Sequence, residues 1–265
     1  ALIKEDVGIH LNWPRFMKSS GWWSSPGDTK KSKNYMERTK EINTFFDESV
    51  AYNKASNEGE RDLKLEAMGA LFTGEKTLYV NVSYVKEIND VINFKRKYKL
   101  KKVVIVGGYD SWMVTDRLKE NNIPVIIQHI HSLPNQPEDD IDLPYKLPKL
   151  LHDAGVSYCL QYNADMEQMG TRNLPFVAGT AIAYGLTYEE GVASITLNAA
   201  KILGVDKELG SIEEGKNATL FVSEGDALDM RTSNVFIAFI DGRMVNLDNH
   251  QSRNYNKYKT KYGLE

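Results

Sequence analysis

Two histidines one residue apart, His129 and His131, stand at the end of the apolar segment PVIIQHI (124–130). The segment predicts a buried β-strand, and alternate residues of a strand share a face, so both imidazoles are expected to point the same way. Neutral imidazole is a common ligand of zinc and similar ions. Three interpretations follow: a metal site, contact with a ligand pocket, or hydrogen bonding that anchors the next loop.

The loop that follows the histidines, SLPNQPEDDIDLPY (132–145), is rich in proline and carboxylates. We expect His131 to anchor this loop through Asp139, Asp140 or Asp142. A histidine beside a carboxylate can also transfer protons without a metal. His131 and Asp142 are therefore candidate catalytic residues for a metal-free lyase or isomerase.

Composition narrows the class of protein. The 265 residues are 42% apolar and 26% charged, with a net charge of −3, as in ordinary globular proteins. This balance gives no electrostatic reason to expect nucleic acid or an anionic membrane as a partner. The single cysteine, Cys159, excludes an internal disulfide and lies in a predicted strand, where packing is expected rather than nucleophilic catalysis.

Strands and helices alternate from residue 77 to residue 204. Four apolar segments predict strands, namely TLYVNVS (77–83), KKVVIVGG (101–108), PVIIQHI (124–130) and VSYCLQYN (156–163). Helical patterns follow them at 85–98, 110–122, 144–155, 173–185 and 187–203, with Asp110 or Ser111 as the expected N-cap of the second. Successive strand–helix units predict an α/β fold with a parallel sheet.

The regions before and after the strand–helix units differ from them in sequence pattern. Residues 1–76 predict an irregular loop up to about residue 30, then helices at 33–57 and 60–72. Residues 77–204 hold the strand–helix units, and residues 205–248 predict a small β module with glycine-centred turns. Residues 249–265 predict a surface helix or tail rich in lysine and tyrosine.

The stretch 183–245 resembles the amidohydrolase superfamily, most closely its imidazolonepropionase-like branch. Three segments carry the likeness: EEGVASITLNAAKILG is similar to the last barrel helix, LGSIEEGKNATLFV to the strands that return to a β-sandwich, and VFIAFIDGRMV to the closing strand. The resemblance implies a (β/α)8 barrel beside a small β-sandwich, with the active site at the carboxyl ends of the barrel strands.

Counted back from this region, the four predicted strands correspond to barrel strands five to eight. The resemblance therefore implies the C-terminal half of a barrel plus a β-sandwich segment. Half a barrel exposes apolar strand edges. We expect the chain to be the C-terminal part of a longer polypeptide, with the N-terminal half supplied by that polypeptide or by another subunit.

The family uses a divalent metal held by a His-x-His pair on strand one, a histidine each on strands five and six, and an aspartate on strand eight. These later positions fall here near Asn81 or Ser83, at Gly107 and at Asn163. Carboxamides and glycine are poor zinc ligands. Asp165 would need a shift in register to replace Asn163, and the His129–His131 pair stands on strand seven rather than strand one.

We therefore expect a catalytically degenerate amidohydrolase-like domain, without a metal or other cofactor, that acts in binding or structural support. The alternative is an active hydrolase of C–N bonds in cyclic amides or peptides, which would need zinc or another divalent metal. A small molecule or peptide is the expected ligand. Candidate contacts are the strand-end residues Asn81, Ser83, Gly108, Tyr109, His129, Gln161, Asn163 and Asp165.

Overall fold

The computed structural model describes residues 3–19, 29–55, 61–162 and 169–264. Its main sheet has five parallel strands in the order β1-β4-β5-β6-β7. Their bounds are Gly8–Asn12, Thr77–Val82, Val103–Gly107, Val125–Ile127 and Tyr158–Leu160. From β4 onward, neighbours in the sheet are neighbours in the chain, each pair joined by a helical segment. The α/β class and the parallel sheet are confirmed.

Helices follow the strands closely. The helices before and within the strand–helix units are α1 Tyr35–Lys54, α2 Leu63–Ala67, α3 Gly69–Thr73, α4 Val85–Tyr98, α5 Thr115–Glu120 and α6 Leu143–Asp153. After β7 come α7 Leu174–Ala183, α8 Tyr188–Ile195 and α9 Leu197–Leu203. Short 3-10 turns occupy Tyr109–Val114 and Thr171–Asn173. None of the helices in the described ranges combines the length and apolar character needed to span a membrane.

The first 30 residues were expected to be irregular, and this is wrong for part of them. Gly8–Asn12 forms β1, which pairs in parallel with β4 from Gly8 opposite Thr77 to Asn12 opposite Asn81. A hairpin of β2 (Met17–Ser19) and β3 (Thr29–Lys31) follows. The segment GIHLN has too few apolar residues to predict a strand by itself. Backbone hydrogen bonds to β4 stabilise it there.

Two predicted helices are divided. The helix expected at 60–72 breaks at Met68 into α2 and α3, and that expected at 187–203 breaks at Thr196 into α8 and α9. The helix expected at 110–122 begins as a 3-10 turn, so neither Asp110 nor Ser111 is its N-cap. α8 begins with a capping box, in which the Thr187 hydroxyl and the Glu190 carboxylate accept each other's backbone N–H.

The sheet has two different faces. One packs against the helices through a large apolar core. This core includes five side chains that are fully buried, namely Val80, Ile92, Ile105, Leu118 and Leu151. The opposite face carries a small cluster of Tyr79, Val104 and Val106, with Ile126 and Ile202 at its rim. His10 of β1 stacks on Tyr79, with the ring centroids 4.9 Å apart. Burial on both faces accounts for the near-continuous apolar runs of these strands.

The C-terminal region forms a second sheet. β8 (Leu220–Ser223), β9 (Val235–Ile240) and β10 (Arg243–Met244) pair antiparallel in the order β10-β9-β8. Helix α10 (His250–Tyr262) follows, with no buried residue. The connection to the main core runs through Leu228, which is 7% exposed and whose carbonyl lies against Gly179 of α7.

Candidate functional site

The carboxyl edge of the parallel sheet contains a tight turn at the end of β5. Gly107 and Gly108 both have positive φ, +107° and +61°. A Cβ at Gly107 would stand 2.6 Å from the Val82 carbonyl oxygen and 3.2 Å from the Ser83 hydroxyl oxygen. Glycine is therefore required at Gly107 both by the backbone conformation and by the space available.

A cavity of about 160 Å³ opens beside this turn. Its walls come from the strand ends and from the loop between β6 and α6. The lining residues are Ser83, Gly107, Tyr109, Gln128, His129, Ile130, Ser132, Asn135, Pro144 and Leu147. Clefts at the carboxyl ends of parallel strands are the usual ligand sites of α/β proteins. We treat this cavity, called the edge cavity below, as the candidate site.

His129 and His131 do not form the expected strand pair. β6 ends at Ile127, so both residues lie in the following loop. Their ring centroids are 6.2 Å apart, with 59° between the ring planes. The His129 ring contacts the ring of Tyr162 with the centroids 4.8 Å apart, whereas His131 Nε2 lies 2.7 Å from the Thr180 hydroxyl oxygen of α7. His131 thus anchors the loop, but through Thr180 rather than through Asp139, Asp140 or Asp142.

Asp142 also has a different partner from the one proposed for catalysis. It is the N-cap residue of α6, and its carboxylate forms an ion pair with Lys146 at 2.7 Å. Desolvation of the His131 ring and the proximity of His129 lower the pKa of His131. His131 and Asp142 are thus each engaged with another residue, which does not favour a proton-transfer pair.

The loop around the edge cavity is fastened by Tyr109. The phenol donates a hydrogen bond to Asp139 Oδ2 at 2.7 Å and accepts one from the Asn135 backbone N–H at 3.0 Å. The backbone N–H of Gln136 donates to the same carboxylate oxygen at 3.2 Å. Burial and the nearby Asp139 carboxylate raise the pKa of Tyr109, so the phenol is the donor at physiological pH.

Two buried carboxylates lie near the first turn of α4, Glu87 within it and Asp110 in the 3-10 turn after β5. Asp110 is 8% exposed and accepts a hydrogen bond from the Val85 backbone N–H at 2.9 Å. Glu87 is 2% exposed and accepts one from the Phe16 backbone N–H at 2.6 Å. Burial raises the pKa of both, that of Asp110 to about 6. Asp110 thus satisfies a free N–H of α4 rather than capping the helix in which it was expected.

The predicted contact residues are distributed unevenly. Ser83, Tyr109 and His129 line the edge cavity. Gly108 faces the core, where an added Cβ would stand 2.6 Å from Val125 Cγ1. Asn81 lies on β4, and its side-chain amide donates to Asn12 Oδ1 of β1 at 2.9 Å. Gln161 directly follows β7, and its backbone N–H donates to the Ile127 carbonyl. Asn163 and Asp165 lie outside the described residues.

Several cavity residues were not predicted from the sequence. Of these, Gln128 could have been. It directly follows the apolar run of β6 and is two residues beyond Ile126, the spacing at which a strand-end side chain faces the same side. Ser132, Asn135 and Pro144 come from the loop and from α6, whose approach to the strand ends depends on contacts distant in sequence.

The family's metal provides a direct test of the site. By the resemblance, its ligands on strands five and six would fall at Asn81 or Ser83 and at Gly107, which offer a carboxamide, a hydroxyl and no side chain. Within the described ranges, no three His, Cys, Asp or Glu side chains converge in a way that could hold an ion. His131 Nε2 already lies within hydrogen-bonding distance of Thr180. The described residues by themselves therefore bring together no set of ligands of the kind that zinc prefers.

The chain is an α/β domain with a parallel sheet and a cavity at the carboxyl ends of its strands. The model of the amidohydrolase family matches residues 110–246, slightly more than half of the sequence. The chain belongs to the amidohydrolase family.

Individual relatives agree with this assignment. The imidazolonepropionase of Shouchella clausii is 41% identical over 69 residues, covering 26% of this chain and 15% of that protein. That of Flavobacterium psychrophilum is 24% identical, covering 53% of this chain and 38% of that protein. The amidohydrolase tasK of Hapsidospora irregularis is 23% identical, covering 68% of this chain and 18% of that protein. The resemblance to imidazolonepropionases is confirmed.

Solved structures show the same fold. An amidohydrolase from Thermotoga maritima superposes with a TM-score of 0.74 at 23% identity, covering 92% of this chain and 64% of that one. A Xaa-Pro dipeptidase with bound methionine superposes with a TM-score of 0.55 at 17% identity, covering 90% of this chain and 54% of that one. The chain thus spans less than two thirds of each relative and structure named here.

Proposed function

We propose that this part of the amidohydrolase fold binds a small ligand in the edge cavity and does not carry out the family's metal-assisted hydrolysis. The observation that carries the proposal is the backbone conformation and close packing of Gly107. Its positive φ and its close approach to the Val82 carbonyl leave no room for the side chain of a metal ligand at that strand end. The fold is then retained while the chemistry at its active edge has changed.

The surrounding residues support a binding role. Ser83, Gln128, Ser132 and Asn135 supply hydrogen-bonding groups to the edge cavity, and Ile130 and Leu147 supply apolar wall. Tyr109 and Thr180 hold the loop that closes one side. A shaped cleft with a few fixed polar groups is the usual design of a small-molecule site.

We further propose that the five strands are part of a (β/α)8 barrel, completed by another stretch of polypeptide in the same protein or in another subunit. The support is the order of the sheet, in which strands follow one another as in a barrel. β1 and β7 are the edges of the five-stranded sheet, and an uncovered edge offers unpaired N–H and C=O groups to a further strand.

Metal content tests the proposal. Protein purified without added metal is analysed for zinc, nickel, iron and manganese, beside a His129→Ala, His131→Ala double variant. The matched control is His152→Ala, His250→Ala, which removes two histidines that pair elsewhere, with Glu190 and Asn254. We expect no stoichiometric metal in any of the three proteins.

The opposite result would support the active hydrolase of C–N bonds. Near-stoichiometric metal that disappears in the His129→Ala, His131→Ala variant, but persists in the control, would show that the pair contributes to a metal site. Metal lost equally from both variants would indicate adventitious surface binding, which leaves the proposal standing.

A further inference from the structure

Carboxamide side chains recur along the carboxyl edge of the parallel sheet. Asn12 ends β1 and lies opposite Asn81 of β4, whose amide donates to Asn12 Oδ1 at 2.9 Å. Gln128 and Gln161 directly follow β6 and β7, and their backbone N–H groups continue the ladder to Gly107 and Ile127. Four of the five strands thus have a carboxamide at their carboxyl end or within one residue of it. We call Asn12, Asn81, Gln128 and Gln161 the carboxamide row.

Gly107 leaves a polar notch beside this row. The point where its Cβ would stand is 2.6 Å from the Val82 carbonyl oxygen, 3.2 Å from Ser83 Oγ and 3.5 Å from Gln128 Oε1. These three oxygens therefore face one position at the end of β5, from the strand ends on either side of it. Gln161 Nε2 is buried without a hydrogen-bond acceptor in the described part of the chain, which indicates a donor at the same edge with unused capacity.

Among the described residues, the polar side chains that line the edge cavity are alcohols and amides, with one imidazole and one phenol. Two described carboxylates next to the cavity residue Tyr109 are already engaged: Asp139 accepts from Tyr109 and Gln136, and Asp110 accepts from Val85. No lysine or arginine in the described part of the chain lines the edge cavity. An anionic ligand would lose its hydration without gaining a cation, which is costly.

Hydroxyl groups match this lining. A ligand hydroxyl donates one hydrogen bond and accepts two, and Ser, Asn and Gln side chains can do both. The cavity volume of about 160 Å³ equals that of about five water molecules at liquid density, at roughly 30 Å³ each. A compact molecule with several hydroxyls fills such a space while keeping its hydrogen bonds.

We infer that the ligand of the edge cavity is a small, neutral, polyhydroxylated molecule, recognised by Ser83, Asn135 and the Gln128 member of the carboxamide row. This inference rests on the proposed binding function and adds the class of ligand. It involves no covalent step.

Ligand-observed and protein-observed NMR with four matched probes tests the inference. Erythritol is the neutral polyol, erythronate its anionic counterpart, 2-amino-1,3,4-butanetriol its cationic counterpart, and 2-pyrrolidinone a neutral amide without hydroxyls. We expect erythritol alone to bind at millimolar concentration, with shifts at the amides of Ser83, Gln128 and Asn135.

Two variants complete the experiment. Gln128→Leu removes the amide acceptor and donor while nearly conserving the size of the side chain, so we expect erythritol affinity to fall at least tenfold. Gln251→Leu makes the same change on the exposed helix α10 and should leave binding unaltered. Retained secondary structure in Gln128→Leu, measured by circular dichroism, excludes misfolding as the cause of the loss.

The outcomes separate the two proposals. Binding of erythronate, the amine or pyrrolidinone in place of erythritol overturns the ligand class but leaves the binding function intact. Absence of erythritol binding at millimolar concentration also overturns the ligand class. A stoichiometric metal dependent on His129 and His131 overturns the proposed function itself, whichever probe binds.

Discussion

The Tyr109 phenol donates a hydrogen bond to Asp139 Oδ2 at 2.7 Å, joining the turn after β5 to the loop that follows β6. The same phenol oxygen accepts from the Asn135 backbone N–H at 3.0 Å. One side chain thus connects two strand ends of the sheet across the mouth of the edge cavity. Loop closure around the site depends on this connection and on the contact between His131 and Thr180.

Tyr109→Phe should loosen the loop without disturbing the sheet. A hydrogen bond to a charged group contributes about 1.5–3 kcal/mol, so local opening becomes easier by roughly that amount. We expect the Asn135 and Gln136 amides to exchange with deuterium at least tenfold faster, measured by hydrogen-exchange NMR or mass spectrometry.

Tyr188→Phe is the matched control, because Tyr188 donates to Asp226 Oδ1 at 2.9 Å in another part of the fold. It should leave exchange at Asn135 and Gln136 unchanged. Equal protection of these two amides in Tyr109→Phe and the unmodified protein would show that other contacts hold the loop.

Gly107→Ala should destabilise the fold strongly. The new Cβ would meet the Val82 carbonyl at 2.6 Å, on a backbone with φ of +107°. Strain and overpacking together predict a loss of about 2–4 kcal/mol in the free energy of unfolding, measured by urea denaturation.

Gly242→Ala separates the two causes. Gly242 also has positive φ, +74°, but an added Cβ meets no atom within 4 Å. We expect a loss of about 1 kcal/mol there, from the backbone conformation alone. Equal losses at the two glycines would mean that the Val82 carbonyl moves away from an added Cβ at little cost in free energy.

The central strands could be read from the sequence because their apolar runs are buried on both faces, as Val103–Gly107 is. β1 could not, since GIHLN is held mainly by pairing with a strand 65 residues or more away, which local pattern does not record. The same limit applies to the site. Gly107 and Gln128 are visible as strand-end residues, whereas Ser132 and Asn135 come from the loop, where the Asn135 N–H is held by Tyr109.

Asp110 should make stability depend on pH. Its pKa is about 6 in the folded protein, against an ordinary value of 3.8, so the folded state binds more protons than the unfolded state between these values. The free energy of unfolding therefore falls as pH rises through this window and is constant above it. Asp110→Asn keeps an acceptor for the Val85 N–H and removes the cost of the buried charge.

We expect Asp110→Asn to be more stable than the unmodified protein by roughly 1–2 kcal/mol at about pH 7, with the difference shrinking toward about pH 4. Urea denaturation at several pH values measures it. Asp116→Asn, on α5, is the control for a simple change of net charge. A pH-independent difference would indicate that hydrogen bonding to Val85, rather than charge burial, governs Asp110.

His131 should affect the pH dependence of stability in the opposite direction to Asp110. Its pKa in the folded protein lies below the ordinary 6.5, since desolvation and His129 disfavour the charged ring. The folded state then binds fewer protons than the unfolded state below about pH 6.5, so acidification through this range destabilises it. NMR titration of the imidazole C–H signals should give His131 a midpoint below 6.5, with assignment by the loss of its signal in His131→Gln.

Thr180→Val tests whether the His131 ring holds the loop through its contact with Thr180. It removes the hydroxyl that lies 2.7 Å from His131 Nε2 while conserving the shape of the side chain. We expect the His131 signals to broaden or shift as the ring loses its fixed orientation, and exchange at loop amides to increase. Thr39→Val removes a hydroxyl that, within the described structure, donates to the Tyr35 carbonyl of its own helix, so it should change neither property. A His131 midpoint above 6.5 would instead show that a carboxylate of the loop contacts the ring in solution, as the sequence first led us to expect.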